Sequence, residues 1–242
     1  MRAIPLLLLL AARAFSQQAP ANPPASTLSQ ETRFVQCQFG DKPKQVLSPV
    51  WLSEDEKWRA YVEVNVQGES ECRHTTRLWA APADSSYRLV YFVPPYGDAM
   101  ANGMEILGFA NNSSLMLVWV EEWQWASDAL GRQQVFAISA RTGTVYEPDL
   151  NEMLQGGDKE RCGFRVLDAG FSADGSSNIV IRARFFSLNS LFGPEEKDLP
   201  PAQRCARTEE TWKFDYVTGN VRQVANTEPL QLFKKLLFRR DN

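Results

Sequence analysis

Histidine is almost absent from this 242-residue chain, which contains only His74. Nucleophilic catalysis by a serine triad uses histidine as the general base, and no Gly-x-Ser-x-Gly elbow accompanies this one. His74 follows Cys72 in a predicted loop, where we expect its side chain to be exposed. Phosphate-binding loops and glycine-rich dinucleotide turns are absent too. The sequence therefore predicts neither catalytic residues nor a cofactor.

Basic charge and metal ligands are also scarce. Lys and Arg together number 26 against 29 Asp and Glu, which gives a formal net charge of −3. Because no basic surplus is present to neutralise phosphates, we do not expect nucleic acid as a partner. The sequence has no Cys-x-x-Cys pair, so we predict no metal site.

No apolar run is long enough for a transmembrane helix, which needs about 20 residues. Residues 4–12 form an apolar stretch behind Arg2, and Ala14-Phe15-Ser16 supplies small residues for a cleavage site before Gln17. Both features are typical of a signal peptide. We predict a signal peptide over 1–16, a proline-containing linker over 17–32 and a periplasmic or extracellular location.

A similar pattern occurs three times along the chain. Trp51, Phe109 and Phe171 lie 58 and 62 residues apart, and each precedes a short polar turn and an apolar strand. Asp174-Gly175 suits the third of these turns because glycine tolerates positive φ. Each unit continues with a loop, another strand, a second turn and a short last strand. The strands predicted after the aromatic residues are 58–66, 76–81 and 87–93, then 115–123, 134–139 and 144–146, then 178–186, 211–216 and 220–224.

Four antiparallel strands per unit are typical of propeller blades. The run Phe171-Ser172-Ala173-Asp174-Gly175 resembles the blade turn of the secreted TolB-like and dipeptidyl-peptidase-like β-propellers, and the turns after Trp51 and Phe109 resemble degraded copies. The resemblance implies an all-β fold of about three four-stranded, blade-like units over 33–226, without a catalytic domain. Three blades are too few for a comfortable ring, so the units would form an open arc, or a homodimer would complete the array. A β-sandwich or barrel is the alternative.

The repeats also suggest how the cysteines pair. Export places them in an oxidising compartment, where pairing is the default, and four cysteines allow three connectivities. Cys37 and Cys162 each lie upstream of the first apolar strand of a unit, whereas Cys72 and Cys205 lie in the loop before the next strand. These equivalent positions in the first and third units predict the disulfides Cys37–Cys72 and Cys162–Cys205.

Tryptophan and glutamate are concentrated in residues 119–125. Alternate residues of a strand share a face, so Trp119, Glu121, Trp123 and Trp125 would line one side as a ligand platform for a sugar or peptide. The alternative is that the tryptophans pack between the units. Glu122 would point away from Glu121, which argues against the two acting as a catalytic pair.

The C-terminal segment 227–242 has the pattern of an amphipathic helix. Leu230, Phe233, Leu236 and Leu237 recur at the spacing of one apolar face. We expect this helix to cover an open sheet edge.

These features together predict a non-catalytic binding or interaction module, which presents the loops of its β-units to a protein or a glycan. The alternative is a carboxylate-dependent glycan hydrolase, which needs two carboxylates about 5–10 Å apart in a cleft.

Overall fold

The structure is a computed structural model that describes residues 31–37, 40–67, 73–95, 100–111, 113–124, 130–155, 162–176, 178–190 and 193–237. The predicted signal peptide and most of the predicted linker lie outside these residues. The described chain forms three antiparallel sheets, so the all-β fold class is confirmed. Within the same residues, no helix has the length and apolar character needed to cross a membrane.

The first sheet has a broken first strand. β1 (Lys44–Leu47) and β2 (Trp51–Leu52) pair with opposite halves of β3 (Trp58–Gln67). Pro49 interrupts them because proline has no N–H to donate to a strand ladder. The sheet continues through β4 (Arg73–Pro82) and β5 (Arg88–Val93).

In each of the other two sheets, four successive strands pair with one another in antiparallel order, as β2 to β5 do in the first. The strands of the second sheet are β6 (Met100–Phe109), β7 (Leu115–Gln124), β8 (Leu130–Ser139) and β9 (Val145–Tyr146). Those of the third sheet are β10 (Cys162–Ser172), β11 (Ile179–Ser187), β12 (Glu209–Phe214) and β13 (Val221–Val224). A π-helical turn (Asn151–Gln155) and three 3₁₀ turns (Leu188–Ser190, Glu196–Asp198 and Pro201–Gln203) connect some of them. The prediction of three units of about four antiparallel strands is therefore confirmed, although the broken first strand and two short C-terminal strands bring the three sheets to six, four and five strands.

The second sheet lies between the other two. Met116, Val118 and Val120 of β7 belong to an apolar cluster shared with the first sheet, whereas Leu115 and Leu117 belong to a cluster shared with the third. A strand buried on both faces needs a continuous apolar run rather than an alternating one. This position explains why residues 115–120 are all apolar and all buried.

The turns follow their local sequence. Gly175 has a φ of 78°, and the Asp174 carboxylate accepts the N–H of Ser176 at 2.9 Å. Gly143 and Gly219, with φ values of 76° and 74°, occupy the turns before β9 and β13. Glycine is favoured at all three positions because side chains with a Cβ rarely adopt positive φ.

The predicted C-terminal helix is wrong. Residues 230–237, which we call the C-terminal clasp, contain the short strands β14 (Leu230–Gln231) and β15 (Lys235–Leu236). The clasp runs across the first strands of all three sheets. It pairs with β10 through β14, with β6 through Phe233, and with β2 through β15.

The clasp contacts the three sheets at the positions that the repeat alignment marked as equivalent. Gln231 is opposite Phe171, Phe233 is opposite Phe109, and Leu236 is opposite Trp51. Phe109 and Phe233 exchange two backbone hydrogen bonds, at 2.7 and 3.0 Å. These long-range backbone bonds replace those that a helix would form, and local apolar spacing does not reveal them.

The disulfide Cys162–Cys205 is confirmed, with a Cα–Cα distance of 5.3 Å. It connects the first residue of β10 to the loop before β12 in the same sheet. Cys37 is also disulfide-bonded. Its predicted partner, Cys72, lies outside the described residues.

Candidate functional site

The predicted platform is not an open surface at the residues that the structure describes. Trp119 is 6% exposed and Glu121 is 1% exposed, because the third sheet covers this face of β7. The Trp123 ring contacts Phe34 and His74, at centroid distances of 5.4 and 5.6 Å. These contacts correct the platform interpretation and support the packing alternative for Trp119 and Trp123. Trp125 lies outside the described residues.

The expectation for His74 is also wrong. His74 is fully buried in β4, since its side chain packs against the second sheet instead of facing a loop. Its Nδ1 lies 3.2 Å from the carbonyl oxygen of Asn102. Burial is the main cause that lowers the pKa of His74, which favours the neutral ring.

Glu121 is buried at the interface of the second and third sheets. It accepts hydrogen bonds from Trp119 Nε1 at 2.9 Å and from Gln133 Nε2 at 3.1 Å. The same Gln133 accepts the N–H of Val166 in β10, so the carboxylate belongs to a network that joins three strands. Burial raises the pKa of Glu121, and the two donors partly oppose this effect.

Each sheet contains a tryptophan that donates its indole N–H to a glutamate. The pairs are Trp79–Glu63, Trp119–Glu121 and Trp212–Glu210, with distances of 2.6, 2.9 and 3.0 Å. Sequence reasoning missed this recurrence. Two of the pairs are two residues apart on one strand and were visible as same-face neighbours, whereas Trp79–Glu63 crosses between strands.

The best candidate for a binding site is a cleft of about 320 Å³ between the N-terminal segment, the break in the first strand, β6 and the clasp. We call it the junction cleft. Its walls are Glu31, Thr32, Arg33, Ser48, Pro49, Trp51, Glu105, Ile106 and Lys234.

Backbone bonds position the N-terminal wall of the junction cleft. Thr32 accepts the N–H of Met104 at 3.0 Å through its carbonyl, and its hydroxyl donates to the Met104 carbonyl at 2.6 Å. A Cβ on Gly103 would lie 2.2 Å from the Arg33 carbonyl oxygen. A residue without a side chain is therefore required where this segment crosses β6. Glu31 and Thr32, which the prediction placed in the linker, are thus part of the cleft wall.

Two cations share one carboxylate inside the junction cleft. Arg33 and Lys234 lie 3.5 and 3.6 Å from the two oxygens of Glu105. The Lys234 ammonium is 4.0 Å from the centroid of the Trp51 ring, and the Arg33 guanidinium is 4.6 Å from that of Trp119. Both cations are therefore held against aromatic rings.

The electrostatics of the junction cleft follow from partial burial. Burial is the largest cause of the lowered pKa of Lys234, and Glu105 opposes it. Arg33 Nε is buried and has no hydrogen-bond partner in the described part of the chain. The side chains of both cations are nevertheless 26% exposed, so N–H groups that Glu105 does not use can meet an acceptor that enters the cleft.

Sequence reasoning did not find the junction cleft. Its walls come from four segments that are far apart in the chain, and the sequence pattern assigns Trp51 only as a turn aromatic. The wrong helix prediction placed Lys234 in another environment. No local motif signals a site that the clasp completes.

A second cleft, of about 280 Å³, lies beside β8 and β9 and contains the carboxylates Glu147 and Asp149. Gln134 donates to Glu147 at 3.0 Å, and Asp149 accepts the N–H groups of Asn151 and Glu152, both at 3.0 Å. Both carboxylates therefore have structural partners. The described residues contain no group of three or more His, Cys, Asp or Glu that could hold a metal ion.

Comparisons with protein-family models, curated proteins and solved structures found no match. The resemblance to TolB-like and dipeptidyl-peptidase-like propellers therefore stays a prediction from the turn motif.

Proposed function

We propose that this chain is a secreted or periplasmic binding module without catalytic activity, and that the junction cleft receives its protein or glycan ligand. The observation that supports the proposal is the pair of cations, Arg33 and Lys234, held on aromatic rings in a cleft with only Glu105 between them. Placed polar groups in a partly apolar cleft are typical of ligand sites. The neighbouring turns of the three units would add contacts around it.

The hydrolase alternative has one observation in its favour, since Glu147 and Asp149 line the same cleft. Acid–base catalysis needs one carboxylate to donate a proton and the other to attack or to activate water. Asp149 instead accepts two backbone N–H groups, and Glu147 accepts a side-chain N–H from Gln134, so both carboxylates are held by structural partners. The binding function is therefore favoured.

Binding and turnover are tested together by exposing the immobilised mature chain to a randomised peptide library and a glycan array. We expect ligands of one class to be retained and to be recovered with unchanged mass. Trp51→Leu should weaken retention about tenfold, the effect of losing roughly 1.4 kcal/mol of binding free energy. Trp58→Leu, at another half-buried tryptophan outside the cleft, is the matched control. Cleaved ligands, no retained ligand, or equal losses in both variants would contradict the proposal.

The location and the assembly are separate parts of the proposal. N-terminal sequencing should find a mature chain that begins at Gln17 in the periplasm or medium, and recovery with Met1 intact only from cytosol would contradict export. The blade resemblance leaves an open arc or a homodimer that completes the array. Analytical ultracentrifugation of the mature chain distinguishes them, because a dimer supports the completed array and a monomer at all concentrations contradicts it.

A further inference from the structure

We infer that the ligand of the junction cleft is a peptide segment with a single carboxylate next to an apolar side chain, and that the carboxylate binds between Arg33 and Lys234. This inference rests on the proposed function, because it assigns a chemical class to the ligand of that cleft.

The first argument is the hydrogen-bonding capacity of the cations. A guanidinium has five N–H donors and an ammonium has three, but among the described residues the charged partner of both Arg33 and Lys234 is Glu105, at 3.5 and 3.6 Å. Shorter, charge-assisted bonds are stronger. A carboxylate that enters from solvent can form such bonds with donors that Glu105 does not use.

The second argument is that the cations are already positioned. Lys234 lies over Trp51, and Arg33 lies over Trp119. The side chains of Arg33 and Lys234 are each 26% exposed, so they are accessible and still restrained. Restrained donors lose less conformational entropy on binding. The same geometry disfavours a neutral sugar, because Lys234 occupies a face of Trp51 on which a sugar ring would stack.

The third argument limits the charge of the ligand. Glu31 lines the cleft and is exposed, and the whole chain has a formal net charge of −3. A second anionic group near Glu31 would be repelled. A polyanion is therefore disfavoured, whereas a single carboxylate is repelled by Glu105 but attracted by two cations.

The fourth argument concerns the neighbouring group of the ligand. Pro49 lines the cleft beside the charged residues and is half-buried, so part of its apolar surface is accessible. An apolar side chain next to the carboxylate would be removed from water against it, which is favourable in proportion to the apolar area buried. Such a pairing of acidic and apolar groups occurs naturally in a peptide.

The test compares two pooled hexapeptide libraries with acetylated and amidated ends, randomised except for a fixed Glu or a fixed Gln at one central position. Binding to the mature chain is measured by fluorescence competition. We expect the Glu pool to bind about tenfold more tightly, because one hydrogen bond to a charged group is worth roughly that factor. This preference should decrease at high salt.

Amino-acid substitutions test whether the preference for Glu arises in the junction cleft. Lys234→Met keeps an unbranched side chain over Trp51 and should remove most of the preference for Glu, whereas Lys234→Arg should retain it. Lys235→Met is the matched control, since Lys235 pairs with Glu56 outside the cleft. Glu105→Gln should bind the Glu pool several-fold more tightly, because the internal competitor for both cations is lost. A purely structural role for Lys234 predicts no such gain.

Three results would overturn the inference. Equal binding of the Glu and Gln pools excludes a role for the carboxylate, and equal effects of Lys234→Met and Lys235→Met exclude this cleft. Binding of an oligoglucuronate without binding of the Glu pool would reject the peptide but leave the binding function intact. If neither pool, the oligoglucuronate nor any glycan on the array binds, the proposed function itself fails.

Discussion

Lys213 and Glu63 are two buried charged side chains whose partners the structure identifies. Lys213, whose side chain is 4% exposed, donates to Ser172 Oγ at 2.7 Å and to the Asp174 carboxylate in the turn before β11. Glu63 accepts the N–H groups of Gln45 and Trp79 at 2.9 and 2.6 Å. A buried charge that loses its partner is costly, whereas the intact pair contributes little net stability. The effect of a substitution therefore depends on which partner remains.

Asp174→Asn tests this argument in the turn that carries the blade resemblance. We expect the free energy of unfolding to fall by about 1.5–3 kcal/mol, the usual worth of a hydrogen bond to a charged group. In Asp174→Asn the remaining carboxylate near the buried Lys213 ammonium is Glu228, at 4.0 Å. Lys213→Met in the same chain should restore most of the loss, because the poorly compensated buried charge is then absent. Denaturant unfolding of the single and double variants measures both effects, and an additive further loss in the double variant would contradict the account.

The decrease of the free energy of unfolding at acid pH should also depend on Asp174. Lys213 is the main cause that holds the pKa of Asp174 well below its usual value of 3.8. A depressed pKa contributes stability that is present above pH 3.8 and is lost as the pH falls towards the folded-state pKa. Asp174→Asn should therefore flatten the stability profile below pH 3.8. An unchanged slope would show that the pair does not form.

Glu121 should show the opposite pH dependence. Burial raises its pKa above the usual 4.5, so ionisation costs stability as the pH rises from 4.5 through the folded-state value. In Glu121→Gln this decline should be absent, and the stability of the variant relative to the parent should increase across that window. Only the slope is compared, so a constant loss from altered hydrogen bonds to Trp119 does not affect the outcome. Parallel profiles would contradict the burial of a titrating carboxylate.

Among the elements, the C-terminal clasp has the widest reach, since it pairs with the first strands of all three sheets. Much of the strand pattern could be predicted, because β-branched and aromatic runs alternate with glycine turns.

The strands of the clasp could not be predicted from the sequence. Leu230, Phe233 and Leu236 fit one face of a helix, and the residues with which they pair are about 60 to more than 180 positions away in the chain. The prediction of Trp119 as part of an exposed platform failed for a related reason. The alternation of residues along a strand assigns a side chain to one face of the sheet but does not show what covers that face.

Phe233 offers a direct test of the clasp. Phe233→Ala removes the ring but keeps the backbone N–H that donates to Phe109 at 3.0 Å, and Phe233→Pro removes both. The proline variant should be about 1–3 kcal/mol less stable than the alanine variant, the cost of a lost buried hydrogen bond and of proline in a paired segment. Equal stabilities in thermal or denaturant unfolding would show that this pairing contributes nothing.

At the scale of the whole molecule, disulfides close long segments of the chain within individual sheets. Cys162–Cys205 closes a separation of 43 residues within the third sheet, and the predicted Cys37–Cys72 bridge would do the same in the first. Each should stabilise the fold by about 3–4 kcal/mol in the chain-entropy model. Non-reducing peptide mapping should recover both linked pairs, and Cys162→Ser with Cys205→Ser should lower stability by that amount. Crossed linkages or free thiols would contradict the equivalence of the first and third units.

The central claim is that the junction cleft, assembled from both ends of the described chain and two sheets, is the binding site. The most direct measurement is a crystal structure of the mature chain with a peptide retained from the Glu pool. We predict an intact peptide in the junction cleft, with its carboxylate between Arg33 and Lys234 and an apolar side chain against Pro49. A peptide bound elsewhere, or a cleaved peptide, would contradict the account.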